Sequence, residues 1–486
     1  MRKTPLVAAL AAGVLLLVPV VCGDDWPQLQ HDAARSGFSP EAVGLPPAGE
    51  ARIVWRWHPD RVTSVASRVQ PVIRNGLLCV GFLDGRMFGL DAATGQVRWV
   101  FQAGGAINHT AALDAQRVYF GAQDGRVYAL NVTNGSLAWS VQTGRAIHNA
   151  PCLAENRIFI GNSRGRFFAI NLDGTVAWTY DAGRPIEISA AYADGRVYCG
   201  DEGLYAFCLN AADGSLFWRV RLRGQSMFGY WPVVMPSANT VFYRTQAAFG
   251  FHDMLNSGDA VLGDGNSVEE DGTPAQHAAE QQNIRNYLTA NPDRQTFWAL
   301  NTADGSQRYV APVLMTAGGN ATPVPPIYDP ATGRAWLIGR SRYARWDSAS
   351  VVRAYGCEPM RFEPLTGATT LLSNHANRGS GVHMIGDETS LLTADNYGLL
   401  VSGRGTLGYI RHTPETAQHV VSSVPSAIDD YAHPDSPLAY GTSEYPYFSV
   451  NAGGGAGAGI ISGAAVADNA IFWFARYGLL VRVQRN

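Results

Sequence analysis

Lysine is nearly missing from this chain: Lys3 is the only one, and every later cation is arginine. A mature form starting after residue 3 therefore has no Schiff-base lysine and no P-loop lysine. Cysteine is sparse too, with six at positions 22, 79, 152, 199, 208 and 357. None is adjacent to another, and none forms a CxxC or CxxCH motif. This argues against structural zinc and attached haem. No His-rich metal spacing is present, so no metal site is expected. A large charge of either sign is also lacking. The net charge is −3, which argues against nucleic acid as a main partner.

Long apolar runs are confined to the start. Residues 6–21 form an apolar stretch behind a positive Met1-Arg-Lys, short of the roughly 20 residues a membrane-spanning helix needs. It reads as a signal peptide over residues 1–23 with cleavage before Asp24. Export, periplasmic or extracellular, is expected, with no transmembrane span in the mature protein. Acylation of Cys22 is the alternative, giving a membrane-anchored lipoprotein. Val21 stands where a lipobox has a small residue.

The chain is rich in repetition. Residues 69–224 fall into four lines of one pattern: a short β-prone run ending in Gly, a turn ending in Gly, a second run, a second Gly turn, then Trp. The tryptophans are Trp99, Trp139, Trp178 and Trp218. A period near 40 residues signals stacked supersecondary units that cannot bury their apolar faces alone. Asp124-Gly125 between two short β-prone runs is a hairpin signal. A further run before each unit, such as 110–113, supplies an innermost strand. Four strands per period make a β-propeller blade, with tryptophan packing between blades. An ordinary β-sandwich would not repeat Gly and Trp in register four times, and the 3.6-residue spacing of helical repeats is missing.

The ends and the remaining chain extend the pattern. Residues 52–57 match an outer strand without its partners, and the partners stand at the far end, in 471–474 and 479–483. The two termini are expected to share one blade and close the ring. Residues 233–243 with 297–300 give a fifth blade and 321–372 a sixth. Residues 381–401, with the proline-containing segment after them, give an irregular seventh. The fold expected is all-β: a single propeller over 51–486 with eight four-stranded blades, seven being the runner-up. A segment at 24–50 precedes it. Its His31, Asp32 and Arg35 could be ligands, but the reading adopted is that they fasten this segment to the propeller surface. An acidic insertion, 252–294, interrupts the fifth blade. Between His252 and Asp293, eight Asp or Glu face only Arg285. Residues 264–271 look superficially like a calcium loop, but EF-hand spacing fails. Residues 275–290 read as a helix. Gly453 to Gly459, a glycine-rich run, precedes the closing blade.

The line from Leu90 to Trp99, Leu-Asp-Ala-Ala-Thr-Gly-Gln-Val-Arg-Trp, resembles the repeat of pyrroloquinoline-quinone-type propellers. That superfamily holds quinoprotein alcohol dehydrogenases. It also holds a non-enzymatic lipoprotein scaffold of the outer-membrane β-barrel assembly machine. The dehydrogenase resemblance would imply a vicinal cysteine pair over the quinone and calcium held by Glu, Asn and a catalytic Asp. No adjacent cysteines exist here, and no such trio aligns. Candidate ligands are the polar residues just before the inner strands, which should converge at one mouth of the central channel: Asn108, His109, His148, Asn149, Glu187 and Asn320. No catalytic residue is assigned. Cys199 and Cys208 lie on two arms of one hairpin and are expected to form a disulfide in an exported protein. The function expected is a non-catalytic scaffold binding an envelope protein, without cofactor. The alternatives are a pyrroloquinoline-quinone- and calcium-dependent alcohol or sugar dehydrogenase, and a carbohydrate- or peptide-binding propeller.

Overall fold

The computed structural model describes residues 25–41, 51–60, 65–66, 69–246, 274–313, 325–347, 350–371, 391–395, 398–403, 406–411, 464–474 and 479–485. These form a single all-β propeller of antiparallel blades. In the first blade Val72–Arg74, Leu77–Gly81, Arg86–Asp91 and Val97–Gln102 pair in chain order. The next three blades repeat this order, ending on Leu137–Gln142, Val176–Asp181 and Leu216–Arg221. First strands of successive blades lie against one another and line the centre. The second strand Leu77–Gly81 is buried at every residue, and those of the next three blades at every residue but the first. Blades cover them on both faces, so they read as continuous apolar runs rather than an in–out alternation.

The repeated Trp and Gly are two halves of one contact. Trp99 lies on Gly135 of the next blade, where an added Cβ would come 2.6 Å from the indole. Gly135 also has φ +70, so no other residue satisfies both demands there. The indole N–H of Trp99 donates to the Val132 carbonyl at 2.9 Å. Trp139, Trp178 and Trp218 repeat the donation to Leu172, Ala211 and Thr302. In the fifth blade Tyr309 takes over, stacked on Gly367 with its hydroxyl on the Pro364 carbonyl. The tryptophan period lapses there while the contact persists.

The termini share a blade as expected. Ala51–Trp57 pairs with Leu480–Arg485, from Ala51↔Arg485 to Trp57↔Leu480, and the sheet continues through Ala470–Phe474 to Ala465–Ala467. The blade count needs correction. Seven sheets have four strands, whereas Leu391–Ala394, Gly398–Gly403 and Thr406–Arg411 form a sheet of three. Among the described residues the four-stranded blades therefore number seven, the runner-up count, and not eight. The next segment, 412–463, lies outside the described residues, as do the signal region, Cys22, the Gly453 to Gly459 run and the calcium-like loop at 264–271.

The N-terminal segment does more than rest on the surface. It runs round the centre and bonds to each sheet in turn. Trp26 exchanges backbone bonds with Ile73, and Leu113 N–H donates to Pro27. Gln28 caps both backbone groups of Leu153. Tyr192, Val234, Tyr328 and Ala394 donate to Ala33, Ala34, Ser36 and Gly37. Asn469 donates to the Glu41 carboxylate. Arg35 is fully buried, its guanidinium on the carbonyls of Leu29, Pro151 and Ala190. These bonds satisfy inner-strand groups that would otherwise face the channel unpaired.

The insertion lies between the second and third strands of the fifth blade, Thr240–Arg244 and Phe297–Asn301. Its helix, α1, spans Pro274–Ala290. Gln281 caps both the N–H and the carbonyl of Thr369, at the outer edge of the sixth blade. This part of the insertion protects a sheet edge. Among the described residues no helix is long and apolar enough to cross a membrane.

The expected disulfide is not formed: Cys199 and Cys208 are both free and buried. The register explains why. Cys208 stands opposite Tyr198, and Cys199 opposite Phe207. One residue of offset puts the two on opposite faces of the sheet.

Candidate functional site

Antiparallel order fixes which loops meet. Each inner strand begins on the face that carries the turn between second and third strands. Backbone bonds confirm the pairing: Gln123, Ser163 and Glu202 in those turns donate to Ala106, Ala146 and Pro185 ahead of the inner strands. Asn108, His148 and Glu187 all lie on this face. The N-terminal segment bonds to the inner strands further along. Leu29 and Phe38 of that segment belong to one buried cluster with Ala150 and Trp231, so the segment is packed into the blade core.

The structure brings His148 and Glu187 together. The imidazole Nδ1 lies 2.8 Å from Glu187 Oε2. The carboxylate holds the imidazole pKa above its ordinary value, against the opposing effect of burial. The Phe228 ring stands edge-on to His148, with centroids 6.5 Å apart. Glu202 comes from the second turn of the fourth blade. Its Oε2 accepts from Ser226 at 2.6 Å, while Oε1 is enclosed without a protein partner. Burial pushes its carboxyl up, and the nearby Glu187 and Asp201 charges add to this.

The other candidates have different work. Asn149 is buried and stitches a blade seam: its Nδ2 donates to Ile186 at 2.9 Å and Gly161 at 3.2 Å, and its Oδ1 accepts from Gly161 N–H. His109 is buried, and its Nδ1 accepts the Thr110 N–H at 2.9 Å. Asn108 is half-buried and meets neither His148 nor Glu187 in any described contact. Asn320 lies outside the described residues. Sequence reasoning missed Glu202, Ser226 and Phe228. The available signal was Glu202-Gly203 in a turn where the first two blades carry Asp84-Gly85 and Asp124-Gly125.

A calcium ion beneath a quinone is the group that the fold family implies, and the donors present do not fit it. Glu187 spends an oxygen on a histidine, which suits softer metals than calcium. The Asn149 amide is consumed by backbone. Among the described residues no three His, Cys, Asp or Glu are grouped so as to hold a metal. Cys79, Cys152, Cys199 and Cys208 are each buried, and no two of them adjoin. The arrangement offers a paired histidine–carboxylate with an aromatic edge.

The family described as outer membrane protein assembly factor BamB matches this chain three times, over residues 48–171, 144–280 and 172–329. Together the matches run from 48 to 329, more than half of the 486 residues. No curated protein matches it in sequence. Among solved structures, BamB from Moraxella catarrhalis is similar at 13% identity and TM-score 0.51, covering 89% of this chain and 97% of that one. A quinohemoprotein alcohol dehydrogenase from Pseudomonas putida HK5 is similar at 12% identity and TM-score 0.54, covering 95% and 80%. The quinohemoprotein alcohol dehydrogenase of Comamonas testosteroni gives 11% identity and TM-score 0.55, with 95% and 80% covered. At such identities the likeness shows the fold alone.

Proposed function

The chain belongs to the family of outer membrane protein assembly factor BamB, within the PQQ-like β-propeller superfamily, and on that premise we propose that it is a non-catalytic scaffold that binds a protein partner at the cell envelope. The observation that carries this reading is how the candidate donors are spent. Glu187 is paired with His148, and Asn149 holds a seam. A surface suited to protein contact is offered by the rim instead. Among the described residues no further strand pairs with the outer strands of the first four blades. Each begins with an aliphatic residue close to half exposed: Val97 at 44%, Leu137 at 48%, Val176 at 44% and Leu216 at 48%. Unpaired edges with apolar side chains can take up another chain. In this reading the protein is exported, periplasmic or extracellular, soluble or anchored through Cys22. No described residue pattern favours the dehydrogenase or the carbohydrate-binding alternative.

The test is photocrosslinking in cells, with a photoreactive residue placed singly at 97, 137, 176 and 216, and at the exposed turn residue Asp173 as control. One discrete envelope-protein adduct from rim positions, not from 173, is expected. No adduct from any rim position, together with alcohol oxidation by the purified protein, would overturn the scaffold reading.

A further inference from the structure

The turn between second and third strands repeats closely in the first three blades, and one position in it reverses charge. The first two blades carry Asp84-Gly85-Arg86 and Asp124-Gly125-Arg126, whereas the third carries Arg164-Gly165-Arg166. Asp84 and Asp124 have a local duty: each accepts the N–H of the residue two further on, at 3.1 and 3.0 Å. In the third blade Asn162 takes over this duty, its Oδ1 accepting from the N–H groups of Arg164 and Arg166. Position 164 is thereby released from the turn, and its arginine is exposed. The connections on either side depart in the same sense. Gly105, between the first two blades, has Arg145 and Arg184 as its equivalents in the next two connections. Both are exposed.

Backbone contacts bring the three arginines together on the face of His148 and Glu187. Ser163 N–H donates to the Ala146 carbonyl at 2.9 Å, which sets Arg164 beside Arg145. On the other side a Cβ at Gly165 would come 2.4 Å from the Arg184 carbonyl oxygen, so the turn lies against that connection too. The acidic groups of this sector are engaged. Asp124 accepts from the Tyr128 hydroxyl, Glu187 pairs with His148, Asp201 is wholly buried against Arg219, and Glu202 accepts from Ser226. Asp181 is exposed but stands across the ladder from Arg166. Arg145, Arg164 and Arg184 therefore remain as an exposed positive excess on one sector, within a chain of net charge −3. Gathered like charges repel one another and draw anions. Guanidinium forks suit carboxylates in particular. Arginine meets carboxylate elsewhere on this chain at Arg98–Asp91 and Arg219–Asp201, at 2.6 and 2.8 Å.

We propose that Arg145, Arg164 and Arg184 form a docking surface for an acidic segment of the partner protein, whose carboxylates bridge the third-blade turn and the connections on both sides of it. This deepens the scaffold reading and rests on it for the partner being a protein. The attachment of the N-terminal segment favours protein over lipid. Asp25 accepts the Asn75 N–H at 2.9 Å and lies 3.7 Å from the Arg74 guanidinium, beside a turn between first and second strands on the opposite face. An acyl anchor at Cys22, only three residues earlier, would hold that face toward the membrane and turn the arginines away from it.

The probe is a labelled peptide of alternating Glu and Gly, titrated into the full chain by fluorescence anisotropy. Binding that weakens with salt is expected. Arg164→Asp should weaken it about tenfold, because reversal removes an attraction and adds a repulsion. The variant should fold normally, since Asp84 and Asp124 stand at the equivalent place in the first two blades. The milder Arg145→Gln should weaken binding less. Arg98→Gln, at the far end of an outer strand, should leave it unchanged. Equal loss in Arg98→Gln and Arg164→Asp would overturn the proposal, as would no binding by the unaltered chain. Tighter binding to phosphatidylglycerol vesicles than to the peptide, lost in Arg164→Asp, would overturn it in favour of a lipid surface. Peptide binding that fails while the rim crosslinks persist sinks this surface alone; loss of both sinks the scaffold reading.

Discussion

His148 stands between the Glu187 carboxylate at 2.8 Å and the edge of the Phe228 ring, and its charge is set by that carboxylate against the opposing effect of burial. The carboxylate dominates and raises the imidazole pKa. A raised folded pKa means the pair stabilises the fold fully below the unfolded imidazole value of about 6.5. That contribution is lost as pH rises through the higher folded value. Following the His148 ring protons by NMR should show a midpoint above that of an ordinary histidine. Glu187→Gln should move it down, with the fold unchanged; an unmoved midpoint would show that the pair does not set the charge. At this scale the sequence was partly legible. Aligning the repeats put His148 and Glu187 in one column, because a repeat brings equivalent positions to one face. It did not show that they bond to each other rather than to a ligand. Nor did it show that Asn149 is a seam residue, since both roles ask for the same amide.

The blades were readable wherever a tryptophan must meet a glycine. Four such pairs in register fix the first four blades, and the pairing of 51–57 with 480–485 follows from a half-pattern at each terminus. The signal fades where Tyr309 substitutes for tryptophan, because the contact tolerates another flat ring with a donor. The disulfide expectation failed over one residue of register, which sequence spacing does not resolve. The N-terminal segment was legible as an attachment but not as a band crossing every sheet. Its side chains Trp26, Leu29 and Phe38 are almost wholly buried, each contributing about 1.5–3 kcal/mol before chain entropy is subtracted. Removing residues 25–41 should therefore lower stability by a few kcal/mol net, seen as an earlier denaturant midpoint. A synthetic peptide of that sequence added in trans should restore part of it. A truncated chain that unfolds like the whole one would show that the band adds no net stability.

For the molecule as a whole, the propeller supplies a ring of antiparallel blades whose outer strands, among the described residues, end their sheets. Length and glycine content suggested such a body, and the repeat made it definite. Function was less legible, because one fold serves enzymes and scaffolds alike. The distinction rests on whether this chain can assemble a quinone and calcium floor from Glu187 and its neighbours. The most direct measurement is a visible-absorbance titration of the purified full-length chain with pyrroloquinoline quinone and calcium, followed by a dye-linked alcohol oxidation assay. The scaffold reading predicts no stoichiometric quinone spectrum and no oxidation. A one-to-one quinone spectrum with alcohol turnover, both lost in Glu187→Ala while the fold stays intact, would contradict it.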